Sequence, residues 1–134
     1  MPTFRKPNLD AEVGGTGRDP YISIRQDGNT LGISRAARQK LGVEGGEYVS
    51  LALDRRRRPW VGILSSPTGQ GEPQIRTDGE HGYCVNSTLL NRHLRHLVGS
   101  DEAGGETLRF YLAGETAEDP ETGVTLHRLE VPEV

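Results

Sequence analysis

Short stretches of alternating apolar and polar residues, separated by turn residues, recur along this chain of 134 residues. Residues Tyr21–Arg25 alternate in this way and are rich in β-formers, which predicts a strand. The Asp-Gly-Asn turn that follows, and then the run Thr30–Ile33, predict a hairpin. The same patterning predicts a second hairpin made of strands Tyr48–Leu53 and Trp60–Leu64, with Arg55–Arg58 at its tip.

A helix is predicted between these two hairpins. Ser34 is a candidate N-cap, residues Arg35–Leu41 have good helix propensity, and Gly42 supplies a natural C-cap. The predicted order of elements in the first part of the chain is therefore β-β-α-β-β.

The second half of the chain repeats this order of elements. The sequence IRQDG at 24–28 recurs 51 positions later as IRTDG at 75–79. Strands are predicted at Gln74–Arg76, Tyr83–Val85, Thr107–Leu112 and Val124–Val131, with a longer helix over Thr88–Val98 and an acidic hairpin tip from Glu115 to Glu121.

Neither unit is large enough to bury a core alone, so the repeat predicts a joint structure. We expect a mainly β fold with two short helices, in which tandem β-β-α-β-β units form a small, pseudo-two-fold, swapped-hairpin-like barrel. Residues 1–19 hold two prolines and no apolar period, and they predict a flexible N-terminal arm. The predicted division is then a first unit at 20–66, a linker at 67–73 and a second unit at 74–134.

Composition narrows the class of protein further. Apolar residues make up 33% of the chain, with 18 glycines and 8 prolines, which favours many short strands over a helical bundle. No run of about 18 apolar residues is present, and the N-terminus has no signal-peptide pattern, so we expect no membrane span and a cytoplasmic location. One cysteine, Cys84, leaves no intrachain disulfide.

The net charge of −3 conceals an asymmetry between the halves. Residues 1–67 carry 11 basic and 7 acidic residues, a net charge of +4, whereas residues 68–134 carry 5 and 12, a net charge of −7. This split is consistent with a directional electrostatic role. It is equally consistent with charged loops that merely solvate the hairpin tips.

Two groups of basic residues are candidates for binding nucleic acid. Arg25, Arg35, Arg38 and Lys40 could neutralise backbone phosphates, although an ordinary solvated helix face explains them as well. Arg55, Arg56, Arg57 and Arg58 precede Trp60, and could grip phosphate or stack a base; a mobile charged tip is the commoner meaning of such a run.

Catalytic and metal-binding motifs are not evident. His93 and His96 have a spacing that can share a metal, but an exposed helix face with Asn91, Arg92 and Arg95 is the preferred interpretation. Ser34 and Ser87 are explained as helix caps. We therefore predict a protein that is not an enzyme and has no metal and no cofactor.

The first unit resembles the AbrB/MazE-like swapped-hairpin domain of prokaryotic transcription regulators and antitoxins. The resemblance rests on Ile33-Ser34, Ala37-Arg38, Leu41-Gly42-Val43 and Gly46-Glu47-Tyr48-Val49, and it covers roughly residues 21–64. Ser34 stands where the family usually has proline, and the second unit keeps only Val98-Gly99 of the motif. The resemblance implies exchanged hairpins in a small barrel, and DNA contacts from positions that match Arg25, Arg35 and Arg38.

Three functional hypotheses follow. The first is a non-enzymatic protein that binds double-stranded DNA through its basic first unit, as AbrB-type transcription regulators do. The second is a protein–protein interaction module, antitoxin-like or a small subunit of a phage or multiprotein assembly, that binds a partner through the acidic second unit or the N-terminal arm. A third, ranked last, is single-stranded nucleic-acid binding by a sheet face that carries Tyr21, Tyr48, Trp60 and Tyr111. A monomer and a homodimer are both compatible with the sequence.

Overall fold

Eight strands and two helices make up the computed structural model, which describes residues 19–25, 28–78, 82–99 and 107–132. The flexible arm predicted at 1–19 lies outside the described residues, except for Asp19. The first unit contains β1 (Tyr21–Ile24), β2 (Thr30–Ile33), α1 (Arg35–Leu41), β3 (Tyr48–Leu53) and β4 (Pro59–Leu64). The second unit contains β5 (Ile75–Asp78), β6 (Gly82–Asn86), α2 (Thr88–Val98), β7 (Leu108–Glu118) and β8 (Thr125–Glu130).

The helix boundaries agree with the capping residues read from the sequence. The Ser34 hydroxyl accepts a hydrogen bond from the Ala37 N–H, and the Ser87 hydroxyl accepts one from the Leu90 N–H. Gly42 and Gly99 end the helices in the left-handed conformation, with φ of 73° and 88°. Both helices therefore begin and end at the predicted residues.

The acidic tip predicted from Glu115 to Glu121 is corrected by the structure. Strand β7 continues to Glu118, and the turn itself begins at Asp119. The pairing register between β7 and β8 shifts between Leu112 and Thr116, which is a β-bulge or a similar irregularity. This irregularity lets β7 extend beyond its apolar part as an exposed ribbon.

All eight strands form one antiparallel sheet in the order β3-β4-β8-β7-β1-β2-β6-β5. The ends of this sheet meet where Tyr48 of β3 bridges to Gln74, just before β5. The result is a nearly closed barrel. The fold is therefore the predicted one, a mainly β barrel with two short helices.

The two units are interlocked in this barrel. Strand β1 of the first unit pairs with β7 of the second, from Tyr21 opposite Tyr111 to Ile24 opposite Leu108. Strand β2 pairs with β6, and β4 pairs with β8. Each first hairpin thus lies between hairpins of the other unit, as a pseudo-two-fold exchange requires.

The two seams related by this pseudo-two-fold differ in strength. The β1–β7 seam has four residue pairs, whereas its counterpart between β3 and β5 is reduced to the bridge at Tyr48. At that counterpart the Val49 N–H donates to the Pro73 carbonyl (2.9 Å) and the Ile75 N–H donates to the Glu47 carbonyl (2.7 Å). Proline has no N–H to return a bond, so Pro73 weakens the ladder where β5 begins.

One hydrophobic core is shared by both units. Ile24, Phe110 and Leu129 are fully buried. They lie on β1, β7 and β8, and each of these strands pairs with a strand of the other unit. Leu90 and Leu94 of α2 pack into the same cluster as Ile22 and Leu31. Since the described residues form one core cluster to which both units contribute, we expect folding and strand exchange to be a single event.

Strand direction assigns every loop to one end of the barrel. Strands alternate in direction around an antiparallel sheet, so β1, β3 and β6 point the same way. The β1–β2 turn, the β3–β4 tip and the start of α2 therefore share one end, which we call the α2 end. The start of α1, the β5–β6 turn and the β7–β8 tip share the opposite end, the α1 end.

Replacing Phe110 with alanine tests the shared core. We expect Phe110→Ala to lower the free energy of unfolding by about 3–5 kcal/mol, because a large buried side chain leaves a cavity. Leu89→Ala, at a side chain that is 62% exposed, should change it by less than about 0.5 kcal/mol. Urea unfolding followed by circular dichroism measures both. Two separate transitions in either protein would contradict a single core.

Candidate nucleic-acid interface

The β3–β4 tip is held in one shape by the carboxylate of Asp54. One carboxylate oxygen accepts from the backbone N–H groups of Arg56 and Arg58, both at 2.9 Å. The other accepts from Arg58 Nε at 2.8 Å and from Trp60 Nε1 at 3.0 Å. Four hydrogen bonds to one side chain convert a charged turn into a fixed scaffold. In the structure the tip is therefore an ordered turn that the Asp54 side chain holds from within.

These bonds lower the pKa of the Asp54 carboxyl well below its usual range. The hydrogen bond from the Trp60 indole is the largest cause. Desolvation, the second largest, opposes it, and the bonds from the backbone and side chain of Arg58 and from the backbone of Arg56 lower the pKa further. Asp54 is thus a carboxylate under ordinary conditions, and it accepts all four bonds. Arg58 forms an ion pair with Asp54 inside the tip.

Arg57 occupies a backbone conformation that disfavours a side chain. Its φ is 62°, which makes it the one non-glycine residue with positive φ in the described part of the chain. The Arg57 N–H donates to the Asp54 carbonyl, and the Asp54 N–H donates to the Arg58 carbonyl, a three-residue hairpin loop whose last position favours glycine. In the β7–β8 tip, the left-handed conformation falls on Gly123, with φ of 76°. The first tip carries local strain to keep an arginine there.

Arg55, Arg56 and Arg57 are all exposed at this tip. The tip lies at the α2 end, where Arg92 of α2 is also exposed. Of the predicted set, these three arginines are consecutive, and the Asp54 carboxylate organises the turn that carries them. That combination suits contact with an extended row of anions.

Arg25 lies at the same end, but it also has a structural part. Its carbonyl accepts from Arg95 Nη2 at 2.8 Å, and Arg95 Nε donates to Asn91 Oδ1 at 3.1 Å. The side chain of Arg25 passes over Gly32, where an added Cβ would come within 3.1 Å of Arg25 Nη2. Gly32 therefore leaves the space that lets Arg25 lie across β2.

The exposed helix face predicted for Asn91, Arg92 and Arg95 is wrong for two of the three. Asn91 and Arg95 are buried, with 1% and 3% of their surface exposed, and only Arg92 faces solvent. Asn91 Nδ2 donates to the Thr30 carbonyl at 3.3 Å, so the pair joins α2 to the β1–β2 turn of the other unit. Helix periodicity could not show this, because the partner carbonyls lie some 60 to 70 residues away.

The basic residues of α1 lie at the other end of the barrel. Arg38 is half-buried, and its guanidinium carbon lies 4.1 Å from the centre of the Tyr83 ring, a cation–π contact across the units. Tyr83 Oη donates to the Glu44 carbonyl, which fixes the ring. Arg35 and Lys40 are exposed. Lys40 is close enough to His127 to contribute, after desolvation, to lowering the pKa of that imidazole.

The structure thus divides the eight predicted residues instead of gathering them on one surface. Arg25 and the tip, Arg55–Arg58, lie at the α2 end, whereas Arg35, Arg38 and Lys40 lie on the helix at the α1 end. Asp54 was missed as the organiser of the tip. The sequence signal for this role was an aspartate at the first position of a turn, because such a side chain accepts hydrogen bonds from the backbone N–H groups that follow it.

The four aromatic residues of the third hypothesis do not share one open platform. Tyr21 and Tyr111 pack edge to face with ring centres 5.5 Å apart, and Arg109 covers Tyr21 at 4.7 Å. Trp60 is only 8% exposed, and its indole is bonded to Asp54. Tyr21 and Tyr111 pack against each other at the β1–β7 seam, and Trp60 is part of the β3–β4 tip.

In the described ranges, no group of three or more His, Cys, Asp or Glu side chains could hold a metal ion. Within the same residues, no helix has the length and apolar character needed to cross a membrane. Comparison with protein-family models, curated proteins and solved structures finds no match to this chain.

The pH dependence of the tip provides a direct test of the Asp54 scaffold. Because its pKa is lowered in the folded protein, the stabilisation from Asp54 is present above the unfolded value of about 4 and is lost as the pH falls through the folded pKa. We expect the Trp60 Nε1 proton resonance to titrate with a midpoint clearly below pH 4. Asp54→Asn should abolish the titration, and Asp119→Asn in the other tip should not. A midpoint at or above pH 4 would refute the scaffold.

Proposed function

We propose that this protein is a non-enzymatic DNA-binding protein, and that the β3–β4 tip makes the principal contacts with the phosphate backbone of duplex DNA. The observation that carries the proposal is the Asp54 scaffold, which presents Arg55, Arg56 and Arg57 exposed on a fixed backbone. Guanidinium groups form paired hydrogen bonds with phosphate oxygens. A preorganised tip loses little conformational freedom on binding, so more of the interaction energy appears as affinity.

Backbone strain at Arg57 supports the same proposal. A glycine would relieve the positive φ at this position, as Gly123 does in the β7–β8 tip. Holding an arginine there costs about 1–2 kcal/mol. A cost of this size at an exposed turn has no compensating contact in the core, and strain of this kind clusters at functional sites.

The resemblance to AbrB-type regulators adds a biological class to the proposal. Exchanged hairpins in a small barrel, with each first hairpin paired to the other unit, agree with what that resemblance implies. The proposed protein is then a prokaryotic transcription regulator in the cytoplasm. It differs from a symmetric dimer because its two hairpin tips are chemically unlike: one carries arginines and the other follows an acidic strand.

The arginines of the tip can be separated from general positive charge by a matched pair of variants. The first variant replaces Arg55, Arg56 and Arg57 with glutamine. The second replaces Arg35, Lys40 and Arg76, three exposed basic residues at the α1 end, with glutamine. Both lose three charges, so a nonspecific effect of net charge is the same in each.

A titration of a 30-base-pair duplex at several salt concentrations measures the difference. The plot of log affinity against log salt should become shallower by about 2 to 3 in the tip variant, because each phosphate contact contributes about 0.9 to that slope. The α1-end variant should change it by less than about 1. Equal effects of the two variants would contradict the assignment to the tip, and no salt-dependent binding by the wild type would contradict DNA binding altogether.

A further inference from the structure

An open groove lies where the seam between β3 and β5 widens, beside the N-terminus of α2. Its volume is about 350 Å³. Its walls include the apolar side chains of Leu51, Leu53 and Leu89, and polar ones such as Glu72, Ser87 and His93. Leu53 is 45% exposed and Leu89 is 62% exposed, and these are the exposed large apolar side chains of the described part of the chain. Their presence in one groove distinguishes it from scattered surface residues.

The pseudo-two-fold shows what fills the equivalent place in the other half. There, the chain leading into β1 lies between β7 and the start of α1. The Tyr21 N–H donates to Ser34 Oγ (3.0 Å), and the Ser34 N–H donates to the Tyr21 carbonyl (3.1 Å). The Leu112 N–H donates to the Pro20 carbonyl (2.9 Å). An extended segment therefore joins the sheet edge to the helix cap.

The corresponding segment of the second unit leaves the sheet instead. Ser23 pairs with Arg109, and its repeat counterpart Gln74 pairs with Tyr48, so Leu51 holds the place of Leu112. The linker curls back before it reaches Leu51, because the Glu72 carboxylate accepts bonds from the backbone N–H and the hydroxyl of Thr68. Among the described residues, no backbone hydrogen bond joins Leu51 to the linker.

This arrangement leaves one edge of β3 open at the level of the groove. The Val49 N–H faces the seam, since it bonds to Pro73, and residues alternate along a strand. The backbone groups of Leu51 and Leu53 therefore face the same way, about 7 Å apart along the strand. An open strand edge beside the apolar side chains of Leu51, Leu53 and Leu89 is a template for a further strand.

We propose that this groove binds an extended peptide segment of a partner protein, with acidic residues followed by apolar residues at alternate positions. The segment runs antiparallel to β3, as β1 runs antiparallel to β7 in the filled half. That direction places its N-terminal end beside the β3–β4 tip, where Arg55–Arg57 follow Leu53 and Asp54. The arginines attract the acidic residues, and Leu53 and Leu89 contact the apolar ones. The arginines are shared with the proposed DNA contacts, whereas the groove itself, with Leu53 and Leu89, is not part of them.

The binding test uses the full chain and a blocked hexapeptide with the sequence of residues 19–24, which fills the equivalent place in the fold and has the proposed pattern. Titration into the ¹⁵N-labelled protein should shift the Leu51 and Leu53 amide resonances in a saturable way, as their backbone groups gain partners. Exchanging the first residue of the peptide, an aspartate, for lysine should weaken binding about threefold at low salt.

Two variants on α2 decide whether the groove is the site. Leu89→Gln removes an apolar wall and should weaken peptide binding about fivefold, whereas Arg92→Gln, on the same helix but outside the groove, should leave it unchanged. Leu89→Gln should also leave the duplex titration unchanged, so failure of this proposal is distinguishable from failure of DNA binding. Absence of saturable shifts at Leu51 and Leu53, or an unchanged affinity in Leu89→Gln, would overturn the proposal. Self-association that Leu89→Gln abolishes would overturn it in favour of a second copy.

Discussion

The pairing of β1 with β7 is the contact on which the rest of the structure depends. It joins the first strand of one unit to the third strand of the other, and it places Ile24 and Phe110 in the same closed interior. Without it, each unit would expose the inner face of a four-stranded fragment, which is too small to bury a core. Contacts between residues far apart in the sequence therefore hold the barrel together. The buried Asn91–Arg95 pair makes further contacts of this kind, because it donates hydrogen bonds to backbone carbonyls at the β1–β2 turn of the other unit.

Interlocking also determines where the charges lie. A side-by-side arrangement could have placed all basic residues of the first unit on one surface. The exchange instead sends the start of α1 to one end of the barrel and the β3–β4 tip to the other. The guanidinium group of Arg38 packs against the ring of Tyr83 of the second unit. The tip thus carries three consecutive exposed arginines on a turn that Asp54 organises. The surface is asymmetric in a way that a homodimer cannot be.

Local structure could be predicted from the sequence because its signals are local. Ser34 and Gly42 bound α1, and Ser87 and Gly99 bound α2, since caps depend on residues within one turn of the helix. The pairing of strands across the units could be predicted only in outline, from the repeat. The weak β3–β5 seam depends on Pro73 meeting Val49, a contact between residues whose partnership no periodicity reveals.

The functional site was harder to predict for the same reason. A run of arginines has the same appearance whether its turn is ordered or mobile, and the four bonds of Asp54, which favour an ordered turn, are visible only in the structure. Burial of Arg95 under a turn of the other unit was likewise invisible to helix periodicity. By contrast, the position of Arg55–Arg57 at a hairpin tip was predictable, since Pro59 and the flanking apolar runs define the hairpin.

The most direct test of the account maps the DNA contacts on the folded protein. Amide resonances of the ¹⁵N-labelled chain are recorded during titration with a duplex at low salt, where phosphate contacts are strongest. The account predicts that the largest shifts fall on residues 54–58, with small shifts on α1 at the opposite end. Shifts concentrated on α1, or a spectrum unchanged by excess duplex, would contradict it.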